Sequence, residues 1–135
     1  MLRKDSPYPA DWLRIAERDL RRVDYLLDIP DPEAAGFYLQ QAVEKFLKAF
    51  LLSKGWKLQR IHDLEALLNE VLVFDSSMER FRSACQKITG FYLLERYPFI
   101  VESNLTEKDV QDSREEIKGL IERLRTETAR LMKGQ

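Results

Sequence analysis

Cysteine and histidine each occur once in this chain of 135 residues, as Cys85 and His62. A lone cysteine excludes an intramolecular disulfide and a cysteine-ligated zinc site, and a lone histidine excludes a histidine-rich metal site. Glycine and proline are scarce, five of each, which suits a helical chain rather than a loop-rich one. Net charge is almost absent: 22 basic against 23 acidic residues leave −1. That balance gives no global pull towards nucleic acid or an anionic membrane, so any such binding needs a local patch. No apolar run reaches the length of a membrane span. The start, Met1 to Pro7, is polar and unlike a signal peptide. These absences set the expectation of a cytoplasmic protein without membrane contact, metal or cofactor.

What is present is amphipathic periodicity. The chain is 44% hydrophobic, enough at this length to fill one core, and residues 1–135 read as a single domain. Five helices are expected. The first runs from Pro9 or Ala10 to about Asp28, with Trp12, Ile15, Ala16, Leu20, Val23 and Leu27 on its apolar face. Asp31, Pro32 and Glu33 open the second as N-cap, first helical position and dipole-favoured acid. Gly55 stops it after Lys54.

After a loop from Trp56 to Ile61, Asp63 caps a short third helix carrying Leu64, Leu67, Leu68, Val71 and Leu72. Asp75 starts a fourth, which turns Phe81, Ala84, Cys85, Ile88, Phe91 and Tyr92 inward and ends before Pro98. Thr106 and Asp109 resemble a capping box opening a fifth, which runs to about Leu131. Short connections favour antiparallel neighbours, so the expected fold is all-α: an up-and-down bundle of four to five helices.

The second helix is the densest segment. Tyr38, Leu39, Ala42, Val43, Phe46, Ala49 and Phe50 recur at helical spacing, and Leu47 and Leu51 widen that face into a central, mostly buried helix. Gln41, Glu44, Lys45 and Lys48 form a polar stripe at i, i+3, i+4 and i+7. Such a stripe is either a solvated face or salt-bridge seam, or the floor of a cleft or dimer contact. Arg14, Arg18, Arg21 and Arg22 line the first helix as either a solvated row or an RNA-binding stripe. Tyr92 and Arg96 stand one turn apart. With Tyr97 they offer an aromatic surface and a phosphate-binding guanidinium; alternatively Tyr92 is core and Arg96 pairs with an acid. His62 is either a ligand contact and base or a hydrogen-bonded part of the third helix's start. Cys85 reads as a small core residue, Trp12 and Trp56 as packing anchors. The loop pair Phe99 and Ile100 either tucks against the bundle or meets a second subunit.

The segment from Gln40 to Leu52 resembles the signature helix of the HEPN family of small all-α domains. Trp12 to Leu20 is similar to that family's opening helix, His62-Asp63-Leu64 to its short motif before the third helix, and Arg96-Tyr97-Pro98 to an element after the fourth. In order and spacing these cover about residues 10 to 130. In the family's ribonuclease branch the resemblance implies an Arg followed after four to six residues by a His. The pair acts across a dimer cleft, and the RNA 2′-hydroxyl attacks without metal. Arg96 matches the Arg, but the positions for the His hold Val101, Glu102 and Ser103.

The reading preferred on that departure is a non-catalytic nucleotide- or RNA-binding module. It is expected to be a homodimer and the partner of a minimal nucleotidyltransferase in a toxin–antitoxin-like pair. Arg96, Tyr92 and Tyr97 line its cleft, with Lys45, Lys48 and His62 as further members. The alternative is a metal-independent endoribonuclease using Arg96 with His62 as a displaced base. A third reading is a purely structural helical adaptor.

Overall fold

Helix α2, Pro32–Ser53, touches every other α-helix of the bundle. Its buried side chains explain why. In the computed structural model, which describes residues 6–97 and 103–133, Leu39, Ala42, Val43, Phe46, Leu47, Ala49 and Leu51 are fully enclosed. Each large one contributes about 1.5–3 kcal/mol by leaving water. Around α2 stand α1 (Pro9–Asp28), α3 (Leu64–Leu72), α4 (Arg82–Thr89), α5 (Phe91–Arg96) and α6 (Glu107–Lys133). The described residues form an all-α bundle without strands, as the periodicity predicts.

The helix ends follow the expected chemistry. Asp31 accepts from the Ala34 amide, and Asp63 from the amides of Glu65 and Ala66. Thr106 and Asp109 exchange reciprocal bonds of 3.0 and 3.1 Å, the capping box that opens α6. At the end of α2 the Gly55 amide reaches Leu52 and the Trp56 amide reaches back to Leu51. This closure needs a left-handed residue, and Gly55 has φ +86°. The turn between α1 and α2 is tied by the Asp31 amide on the Leu26 carbonyl, 2.6 Å.

The expected fourth helix is in three pieces: a 3-10 turn, Ser76–Phe81, then α4 and α5. Asp75 caps the Ser77 amide and tightens the first piece. Gly90, a poor helix former, separates the other two, while the Thr89 hydroxyl accepts from the Leu64 amide across to α3. Pro98 as a helix stop, the Phe99–Ile100 pair, and Val101 and Glu102 lie outside the described residues.

Cys85 is fully buried in the core, and burial pushes its thiol up to about 12, far from a nucleophile's range. Trp12 is buried and donates its indole N–H to the Ser6 carbonyl at 2.8 Å. Among the described residues no helix is long and apolar enough to cross a membrane.

Candidate functional site

Two predicted residues, His62 and Arg96, converge on the ring of a third, Tyr92. Tyr92, on α5, lies with its ring centroid 5.9 Å from that of His62, the planes 15° apart. The Arg96 guanidinium carbon sits 5.2 Å from the same centroid, as one helical turn allows. Phe37 of α2 also stacks on Tyr92, 5.6 Å away and 29° inclined, and fixes the ring from the bundle side. Arg96 and Tyr97 are exposed, Tyr92 is half-buried, and the His62 side chain is 60% exposed. The result is an accessible face with a cation, two aromatic rings and an imidazole.

Beneath it runs a buried polar ladder on α2. Gln40, Glu44 and Lys48 stand at i, i+4 and i+8, all nearly closed to solvent. Glu44 accepts from Lys48 Nζ at 3.0 Å and from Gln40 Nε2 at 3.1 Å. His62 Nδ1 lies 3.1 and 3.3 Å from the two Glu44 oxygens. Gln40 Nε2 also donates to the His62 backbone carbonyl at 3.0 Å. The imidazole is thus both tied to the helix-start segment, as one reading of the sequence holds, and presented on the outer face, as the other holds.

The polar stripe on α2 divides: Lys45 joins an interhelical seam with α1, while Glu44 and Lys48 pair within α2 beneath His62. Lys45 Nζ reaches Asp19 of α1 at 2.6 Å, and Asp19, almost fully buried, also accepts from Arg22 at 2.9 Å. Lys45 is therefore committed to the α1–α2 seam. Lys48 is buried at 3% exposure, with Trp12 5.4 Å away, and meets the face only through Glu44. The physical reason is pairing: Asp19 and Glu44 are buried carboxylates, and burial without a cation would cost more than either lysine gains in water. On α1, Arg22 is drawn to Asp19, while Arg18 and Arg21 stay outside that pairing.

Sequence reasoning missed Gln40, Phe37 and the role of Glu44 at this site. For Gln40 and Glu44 a signal exists, the i, i+4, i+8 line with Lys48. For Phe37 none does, because its partner lies 55 residues away. Among the described residues no three of His, Cys, Asp and Glu gather as a metal site.

No curated protein matches the sequence. Two solved structures share the fold. TT1696 from Thermus thermophilus aligns with a TM-score of 0.77 at 23% identity, over 89% of this chain and 97% of its own. ST0689, an archaeal HEPN homologue, aligns with a TM-score of 0.71 at 23% identity, over 90% and 98%. The profile of the HEPN domain matches residues 9–127. It spans the bundle from the first residue of α1 into the last turns of α6, with the Tyr92 face inside it. The chain belongs to the HEPN domain family, a nucleotide- and RNA-related helical module.

Proposed function

We propose that this HEPN domain is a non-catalytic module that binds a nucleotide or single-stranded RNA on the face made by His62, Tyr92, Arg96 and Tyr97. The observation that supports this is the meeting of Arg96 and His62 on the one Tyr92 ring. A guanidinium pairs a phosphate through two parallel N–H bonds. The exposed Tyr97 ring and the accessible His62 imidazole give a base stacking surfaces that tolerate any sequence. Because net charge is near zero, affinity rests on this local cation rather than on the field of the molecule. In the same reading the chain acts as a homodimer and as the partner of a minimal nucleotidyltransferase in a toxin–antitoxin-like pair. The sequence supports the non-catalytic part: Val101, Glu102 and Ser103 stand where the ribonuclease motif needs its histidine.

Fluorescence anisotropy with a short labelled RNA tests the binding. Arg96→Ala is expected to weaken it by about tenfold or more, the loss of one charge-assisted contact of about 1.5–3 kcal/mol. The salt dependence should flatten by about 0.7 in log–log slope, one phosphate contact on a single strand. Arg14→Ala, on the far part of α1, should leave both unchanged. Equal binding by native protein and Arg96→Ala would remove the proposal.

One observation favours the ribonuclease reading as runner-up. His62 is held by a buried carboxylate, the arrangement that orients a general base. Cleavage of RNA in chelator, abolished by both His62→Ala and Arg96→Ala, would replace the binding reading with this one.

A further inference from the structure

The His62 imidazole is exposed yet held from three directions. Its ring stacks on Tyr92, its own carbonyl accepts from Gln40, and Nδ1 faces the Glu44 carboxylate. Glu44 is 4% exposed, and its other partners are the Lys48 ammonium and the Gln40 amide N–H, both donors. A carboxylate between two donors, one of them charged, is ionised and can only accept. The hydrogen of the His62–Glu44 bond must therefore sit on Nδ1, which leaves Nε2 of the neutral ring without one.

We infer that Glu44 is a positioning residue: it fixes His62 in the Nδ1–H form and leaves Nε2 a bare acceptor on the imidazole stacked against Tyr92, the ring that Arg96 also approaches. The use of that acceptor rests on the proposed function. An acceptor and a guanidinium that share one aromatic ring fit the 2′-hydroxyl and phosphate of an RNA strand, and DNA lacks that hydroxyl. Lys48 donates to the other Glu44 oxygen, and Gln40 aligns carboxylate and loop together.

Because the chain has one histidine, nitrogen NMR of the imidazole reads this tautomer without ambiguity. The measurement uses the ligand-free protein at about pH 9, above the ordinary imidazole range. The native protein should show a protonated Nδ1 and a bare Nε2. The double variant Glu44→Met/Lys48→Met removes the acceptor without stranding a buried ammonium, and should shift the ring towards the Nε2–H form usual for a free histidine side chain. A native Nε2–H ring, or a double variant with unchanged nitrogens, would overturn the inference. Affinities for matched ribo- and deoxyribo-oligomers form a separate arm. If the tautomer is as inferred but neither oligomer binds, the binding proposal fails while the Glu44–His62 assignment stands.

Discussion

A buried carboxylate gives up several kcal/mol of hydration unless donors replace the water, and Glu44 gathers three: Lys48, Gln40 and the His62 ring. Glu44→Ala should therefore destabilise the protein by about 3–5 kcal/mol, since it leaves the Lys48 ammonium buried without its carboxylate. Urea unfolding checks this, and the Glu44→Met/Lys48→Met pair should recover most of the loss. A single-variant loss below about 1 kcal/mol would show that water already reaches Lys48. Arg96, by contrast, is exposed, so Arg96→Ala should change the unfolding free energy by no more than about 0.5 kcal/mol. Its effect belongs to ligand binding. At this scale the sequence was legible in types but not in directions. Tyr92, Arg96 and His62 are recognisable as residues that could serve one ligand. That Lys45 turns to Asp19, 26 positions away, while Lys48 turns to Glu44, leaves no mark on the stripe itself.

At the scale of elements, local chemistry was the most readable part. The caps at Asp31, Asp63 and Thr106 and the stop at Gly55 are short-range, and each is found where the residues place it. Asp63 matters twice, because the cap it makes for α3 begins next to His62. Asp63→Ala should cost about 1 kcal/mol and, by loosening that turn, weaken RNA binding as well. An unchanged affinity would separate the cap from the site. The second break in the expected fourth helix falls at Gly90, beside a Thr89 hydroxyl that accepts from the Leu64 amide, a tertiary contact that periodicity does not report. Gly36 is a second such contact. A β-carbon there would stand 3.2 Å from Leu105 Cδ2 and from Cβ and Cγ of Phe91, so its bareness lets α5 approach α2. Gly36→Val should cost about 1–3 kcal/mol by overpacking, and should disturb Tyr92 and Arg96 on the displaced α5. Calorimetric unfolding together with anisotropy would show the two losses in one variant.

For the whole molecule, a near-zero net charge conceals a set of pairs that acid will break. Arg82, with Gln86, holds the Glu65 carboxyl below its ordinary value, and Arg82 does the same for Glu79. Ser77 lowers Asp75, the Thr106 amide and hydroxyl lower Asp109, and Arg130 lowers Glu127. A carboxyl whose folded value lies below its unfolded value contributes stability above the unfolded value, and loses it as pH falls through the folded one. The thermal midpoint should therefore be flat above about pH 5 and fall steadily below about pH 4, the ordinary carboxylate range. Arg82→Met should shallow that acid limb, since it removes the partner of both Glu65 and Glu79. A midpoint that held level or rose below about pH 4 would contradict the assignment.

The claim on which the functional account turns is where RNA sits on this bundle. Photo-crosslinking answers it directly: a 4-thiouridine oligoribonucleotide is irradiated with the native protein, and the modified peptides are sequenced. Adducts are expected in the peptides carrying His62 and the Tyr92–Tyr97 segment, and should be lost in Arg96→Ala. Adducts confined to the arginine row of α1 or to α6, and untouched by that substitution, would contradict it.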